Sequence, residues 1–224
     1  MHGQGEGMKF GVLGSGVVAQ ILSQGFKKHG HDVMTGTREP AKLQAWSEEH
    51  RIPVGSFSES AAFGEIVILA VKGTAAKEAL SLATAVNLHD KVVIDATNPI
   101  ADAAPEEGVL RFFTSSNESL MVDLQASFTQ AKFVKAFNST GALNFIDPSY
   151  REGKPTMFIC GNDKGAKSIV AGLLTDLGWD IADMGGVQAA RAIEPLCMLW
   201  CIPGFLGNEW THAFKLLRRA VASD

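Results

Sequence analysis

The chain reads as an α/β protein of Rossmann type, with a doubly wound, mostly parallel sheet and a small C-terminal helical appendage. Three observations predict this. Its short strands, such as Phe10 to Leu13 and Ile66 to Val71, are apolar throughout, as strands of a parallel sheet covered on both faces are. Helical stretches alternate with those strands, the pattern of successive βαβ units. Between the first strand and the first helix stands Gly14-Ser15-Gly16-Val17-Val18-Ala19, a Gly-x-Gly-x-x-Ala turn.

The elements follow in order. Phe10 to Leu13 is the first strand, and Val17 to Lys28 the helix behind the turn. Gly14 permits the tight turn, Gly16 lets the backbone approach a pyrophosphate, and Ala19 is small enough for close packing of helix on strand. The helix N-terminus, with Val17 and Val18 just inside it, offers unpaired N–H groups and a partial positive charge to phosphates. Further strands are predicted at Val33 to Gly36, Ile66 to Val71, Val92 to Ala96, Phe133 to Phe137 and Thr156 to Cys160. Helices are predicted at Pro40 to His50, Thr74 to Ala85, Leu120 to Gln130 and Lys164 to Leu177. Two irregular stretches, Asn98 to about Glu118 and Asn144 to Lys154, follow strand ends, where ligands meet an open α/β sheet. Beyond Gly186 the pattern is helical only. A helix from Gln188 to about Cys201, kinked at Pro195, is expected to break at Ile202-Pro203-Gly204 before a last helix from Asn208 to Val221. The resulting organisation is a flexible extension at 1–7, a nucleotide-binding domain at 8–185 and a helical appendage at 186–224.

The turn between strand and helix predicts a dinucleotide, and the end of the second strand decides which one. An NAD site usually places Asp or Glu there to bind the ribose 2′-hydroxyl. Here that place holds Gly36, Thr37 and Arg38, while Asp32 lies at the strand's other end. Thr37 can donate a hydroxyl hydrogen bond, Arg38 is a permanently charged fork suited to phosphate, and Lys42 lies about one helical turn further on. The three together predict NADP(H), bound through its 2′-phosphate.

Composition narrows the partners. With 224 residues, 46% of them hydrophobic, the chain can build one good core and a small appendage. A net charge of −4 and a pI near 5.9 argue against nucleic acid. No apolar run approaches the ~18 residues of a membrane span, and no signal-peptide pattern opens the chain, so no membrane partner and a cytoplasmic location are expected. Cys160, Cys197 and Cys201 are too few and too awkwardly spaced for a disulfide framework, which fits a reducing compartment. Cys197 and Cys201 share a helix face and read as buried thiols, with a redox or metal pair as the alternative.

Several strand ends converge on the same crevice. Ala70 and Val71 would let the chain pass close to a cofactor, while Lys72 could reach a phosphate or face solvent. Asn98, before Pro99, offers a donor and an acceptor to a ribose or carboxamide, or else caps its own turn. Asn138 and Ser139, with Thr140 and Gly141, form a polar cluster suited to a nicotinamide amide and a second substrate, or simply a polar turn. No residue is assigned as catalytic and none as a metal ligand. Tyr150 and Lys154 make a Tyr-x-x-x-Lys match, but Gly153 and Pro155 place it in a loop. Five of the six histidines fall at helix ends, turns or the N-terminal tail, and His212 is the exception, near Trp210 and Lys215. Hydride transfer between two conjugated rings needs orientation more than an acid–base pair.

These blocks resemble the coenzyme F-420-dependent NADP oxidoreductases, a family that also includes the cytosolic reductase domain of membrane ferric reductases. The resemblance runs from Met8 to Leu217. It rests on the glycine turn, Gly36-Thr37-Arg38 with Lys42, Asn98-Pro99 and Val134-Lys135-Ala136-Phe137-Asn138. It continues through Ile159-Cys160-Gly161-Asn162-Asp163, then Asp183-Met184-Gly185-Gly186 and Ala190-Arg191-Ala192-Ile193-Glu194-Pro195-Leu196. It implies that the first block grips the pyrophosphate and that Thr37, Arg38 and Lys42 bind the 2′-phosphate. Ala70-Val71 and Asn138-Ser139 would line the nicotinamide, with a deazaflavin or flavin lying over it beneath the helical appendage. It also implies a homodimer through the C-terminal helices. Trp200 and Trp210 would then pack over a ring or into a dimer contact. The function expected is hydride transfer between NADPH and coenzyme F-420 or a flavin. Alternatives are an NADPH-dependent reductase of a small imine or carbonyl compound, or a non-catalytic NADP(H) sensor.

Overall fold

Six strands form one parallel sheet in the order β3-β2-β1-β4-β5-β6. They are β1 (Lys9–Leu13), β2 (Asp32–Gly36), β3 (Val54–Gly55), β4 (Ile66–Leu69), β5 (Val92–Asp95) and β6 (Lys132–Lys135). The computed structural model describes residues 7–219, so the predicted extension lies outside the described residues except for Gly7. The helices are α1 (Val17–Lys28), α2 (Gln44–His50), α3 (Phe57–Phe63), α4 (Ala76–Ala83), α5 (Ala85–Leu88), α6 (Leu120–Ser127), α7 (Lys164–Asp176), α8 (Ala190–Ile193) and α9 (Pro195–Gly207). Strands β7 (Thr156–Ile159) and β8 (Asp180–Asp183) form a separate pair.

The register explains where a site can form. Leu13 lies opposite Gly36 and Leu69, Leu69 opposite Asp95, and Asp95 opposite Lys135. The carboxyl ends of five strands therefore finish in one row, and the loops leaving them share one edge. The strand order reverses between β1 and β4, which opens a crevice beyond those ends.

Helices cover both faces. On one, Phe10, Val12, Leu22 and Phe26 belong to a buried cluster, with Phe10 and Phe26 stacked at 4.3 Å between ring centroids. On the other, Leu13, Val67 and Leu69 pack with Ala76, Leu80 and Leu124. Each large side chain among these contributes about 1.5–3 kcal/mol on burial. Alternate residues of β1 feed opposite faces, which is why its sequence carries no polar break.

Four expectations are corrected. A short strand β3 and helix α3 fill 54–63, where nothing was predicted. A reciprocal cap forms there, with Glu59 N–H donating to Ser56 Oγ and Ser56 N–H donating to Glu59 Oε2. Second, β7 does not extend the main sheet. It pairs with the unpredicted β8, and among the described residues only a bridge between Lys135 and Cys160 joins this pair to β6.

Third, Pro203 lies inside α9, which ends instead at Asn208, in the left-handed conformation at φ 54°. Residues 208–219 form no helix, and Ala220 and Val221, the end of the predicted last helix, lie outside the described residues. This tail is held by contacts that helix formation would break. Thr156 N–H donates to Phe214 O, Leu216 N–H to Thr156 Oγ1, and Trp200 Nε1–H to His212 O. The helical assignment is interrupted at Glu194, just before Pro195 and between α8 and α9, although Glu194 itself keeps helical dihedral angles.

Fourth, Val187–Gly207 forms a 21-residue helical run that is long and apolar enough by length and composition to cross a membrane, with 33% of its most apolar window buried. Counting unbroken apolar residues overlooks it because Gln188, Arg191 and Glu194 interrupt the run.

Candidate functional site

The turn after β1 is built by close approach. Gly14 has φ +145°, and a Cβ there would stand 2.3 Å from the carbonyl oxygen of Ala70. Its N–H donates to Gly36 O at 2.9 Å, tying the turn to the end of β2. Gly16 is different in kind, since a Cβ on it would meet no atom within 4 Å and would face open space. Gly16 is also the N-cap of α1. No side chain caps that helix and no acid occupies its first turn. Twelve residues of aligned peptide dipoles thus end in free N–H groups pointing into the crevice, an anion site by construction.

Two cavities meet at this turn. One, of about 240 Å³, is bounded by Gly14, Ser15, Thr37 and Arg38 on one side and by Phe57 and Glu78 on the other. The second, of about 760 Å³, runs from Val17 and Val18 past Ala96, Thr97 and Asn98 to the loop at 100–104. Gly16, Ala70, Val71 and Lys72 line both, so the two cavities form one groove with the bare helix end at its waist. That shape fits a dinucleotide whose pyrophosphate lies at the junction.

Eleven of the sequence-predicted residues line this groove: Gly14, Ser15, Gly16, Val17, Val18, Thr37, Arg38, Ala70, Val71, Lys72 and Asn98. Four do not. Lys42 lies outside, bonded to Glu39 at 2.8 Å. Pro99 shapes the loop, its carbonyl accepting from Phe113 N–H at 2.8 Å. Asn138 and Ser139 are buried behind the wall. Asn138 Nδ2 donates to Asn98 Oδ1 and to Ile193 O, while Asn98 Nδ2 donates to Asn138 O. The two asparagines thus fasten each other and anchor α8, and Asn138 Oδ1 stays buried without a partner. Phe137, just before, is buried at φ 63°, a strained conformation for an aromatic residue.

Both cations lining the groove, and Lys42 outside it, already hold an acid. Arg38 Nη1 lies 3.6 Å from Glu78 Oε2, Lys72 Nζ lies 3.3 Å from Asp102 Oδ1, and Lys42 holds Glu39. The hydrogen bond from Lys42 keeps the Glu39 carboxyl below its ordinary range.

The sequence reading missed a buried ionic cluster directly behind the wall. Lys135 Nζ, fully buried, lies 2.7 Å from Asp95 Oδ2 and 3.0 Å from Glu194 Oε1, and donates to Thr97 O at 2.9 Å. Asp95 Oδ1 accepts from the N–H and hydroxyl of Thr97, which lines the larger cavity. Glu194 accepts from the N–H groups of Leu120 and Met121 at the start of α6. Burial pushes the Lys135 ammonium toward neutrality, but the two carboxylates outweigh it and hold it above its ordinary value. The cluster joins the ends of β5 and β6, α6 and the α8–α9 break. The only sequence signal was a lysine and an aspartate at the ends of strands rich in apolar residues.

Other candidates resolve into structural roles. His212 stacks on Trp200 at 5.1 Å and its Nε2 lies 2.9 Å from Trp200 O, so the ring anchors the tail. Trp200 is buried against Gly141 and Trp210 packs on Gly204, so both rings are engaged within the chain. Tyr150 and Lys154 lie in the irregular stretch before β7, away from the residues lining the groove. Burial raises the Cys160 thiol to about 12. Cys197 and Cys201 hydrogen-bond each other, which raises Cys197 and lowers Cys201.

Comparison with known proteins agrees with this geometry. The family described as coenzyme F-420-dependent NADP oxidoreductase matches residues 9–99, which cover β1 through β5 and the groove's glycine turn. Metalloreductase STEAP3 of Rattus norvegicus is 30% identical over 205 residues, spanning 90% of this chain. The chain spans only 39% of that relative's length. A solved protein from Arthrobacter sp. FB24, proposed to be an F-420-dependent NADP-reductase, is 33% identical with a TM-score of 0.88. That match covers 95% of this chain and 100% of the other. An imine reductase from Myxococcus stipitatus shares the fold alone, at 13% identity and a TM-score of 0.65, over 90% of this chain and 63% of its own.

Proposed function

We propose, for a chain that belongs to the coenzyme F-420-dependent NADP oxidoreductase family, that it moves hydride between NADPH and a deazaflavin or flavin-type acceptor. The observation that carries this reading is the continuous groove. Its narrower end presents Thr37 and Arg38, its waist a bare helix N-terminus, and its wider end apolar walls.

The residues fit the cofactor. The α1 N–H groups and the open face at Gly16 receive the pyrophosphate, and Thr37 and Arg38 take the 2′-phosphate. Lys42 would have to leave its exposed partner Glu39 to add a second charge there. Bound NADPH supplies the hydride. Val17, Val18, Val71 and Ile100 give the wider cavity apolar walls, while Thr97 and Asn98 supply its polar contacts. Among the residues lining that cavity only Lys72 and Asp102 ionise, and they hold each other, both exposed. An acceptor that takes hydride directly into a conjugated ring suits such a wall, because positioning does the work that a proton donor would do elsewhere. A small imine or carbonyl needs a proton donor beside it, and the wall presents none better placed than Lys72.

The same reading has two copies pairing through α9, whose Leu199, Phe205 and Leu206 are exposed, and a cytoplasmic setting that keeps the three free thiols reduced. The test is rapid-mixing absorbance of the protein with NADPH against a deazaflavin and a flavin in parallel. Fast loss of NADPH absorbance with one ring supports the proposal. Tight NADPH binding with neither ring reduced overturns it.

A further inference from the structure

Arg38 and Glu78 belong to different elements that face each other across the narrow end of the groove. Arg38 follows β2, and Glu78 stands in the first turn of α4. Both line the 240 Å³ cavity together with Thr37, and the Arg38 Nη1 to Glu78 Oε2 separation is 3.6 Å. The pair is therefore not a chance neighbour on one helix face, as Lys42 and Glu39 are at a spacing of three residues. It closes across the place where the 2′-phosphate reading needs an open guanidinium.

From this we infer that Glu78 is a specificity-determining residue that competes with the 2′-phosphate for Arg38. The inference rests on the NADP reading above and deepens it. A phosphate bearing nearly two negative charges can displace a single carboxylate from Arg38, because guanidinium binds phosphate in a bidentate fork and the exposed Arg38–Glu78 pair is loosely held. Displacement has a cost, however. Glu78 then loses its partner and remains close to the incoming charge, so the net preference for a phosphorylated ribose is smaller than Arg38 alone would give. A dinucleotide without the 2′-phosphate meets no such penalty, since it leaves the pair intact. Glu78 thus narrows the gap between the two dinucleotides, acting by repulsion from the side of α4.

Replacing Glu78 by glutamine removes the charge and keeps the helix, because the residue is exposed and glutamine is a good helix former. The experiment is calorimetric titration of NADPH and of NADH onto the full chain, wild type and Glu78→Gln, each also in the Arg38→Ala background. NADPH binding is expected to tighten by about three- to tenfold in E78Q, with NADH changed by less than about twofold. The gain should shrink as salt is raised, because both groups are exposed, and most of it should be lost once Arg38 is alanine, leaving only the direct repulsion between Glu78 and the phosphate. NADPH affinity unchanged or weakened in E78Q overturns the inference, as does a full gain that persists without Arg38. If the wild type binds neither dinucleotide, the nucleotide reading itself falls. If it binds both and E78Q alters neither, only the role of Glu78 falls.

Discussion

Lys135 and Asp95 end neighbouring strands, face each other in register, and bring Nζ to 2.7 Å from Oδ2 with both side chains fully buried. Glu194 completes the cluster at 3.0 Å. Replacing Lys135 by methionine leaves two buried carboxylates without their cation. That change should destabilise the fold by about 3–5 kcal/mol, read as a lower urea midpoint.

The same pair sets a pH dependence. Lys135 is held above its ordinary value in the folded chain, so its contribution is fully present below the unfolded lysine value of about 10.4 and fades as pH rises through the higher folded value. Urea midpoints of wild type minus K135M should stay constant from pH 7 to about 10 and converge above that. A difference that disappears already near pH 8 contradicts this.

Gly14 and Gly16 should separate fold from binding. Gly14→Ala forces a side chain into the Ala70 carbonyl at φ +145°, and should cost at least about 2 kcal/mol of stability. Gly16→Ala meets nothing within 4 Å at φ −79°, so stability should change by less than about 0.5 kcal/mol. NADPH affinity should nonetheless drop by about tenfold or more, as the methyl fills space meant for the pyrophosphate. Thermal melts and titration calorimetry on the two variants check both halves.

The thiols should react in a fixed order. Cys201 is partly accessible and its hydrogen bond with Cys197 lowers it, whereas Cys160 is buried and raised to about 12. A chromogenic disulfide should modify one thiol quickly in the native chain, with a rate midpoint below the ordinary thiol value of about 8.5. The other two should react only on unfolding. Loss of the fast phase in Cys201→Ser identifies it.

What could be read in advance was local. Helix α1 is predicted over Val17 to Lys28, the residues it occupies, because a glycine turn marks its start and a helical pattern follows at once. Helix α3 carries an equally local signal, the Ser56–Glu59 cap, which goes unread because the flanking strand β3 is only two residues long. The C-terminal tail departs from its helical pattern for a physical reason. The backbones of Phe214 and Leu216 bond to Thr156, which for Leu216 lies 60 residues away in the sequence. No periodicity records such a contact. In the site, the residues that bring backbone or small side chains to the groove (Gly14, Gly16, Ala70) were readable from type and position. The roles of Asn138 and of Lys135 were not, since each depends on partners from α8 and the α8–α9 break that only the folded chain brings near.

The most direct test of the account is calorimetric binding of NADPH and NADH to the wild type and Arg38→Ala. If Arg38 makes a charged bond to the 2′-phosphate, R38A should lose about 1.5–3 kcal/mol of NADPH affinity and leave NADH nearly unchanged. Equal losses for both dinucleotides, or none for either, would contradict the 2′-phosphate site at the end of β2 and with it the NADP-dependent reading of the groove.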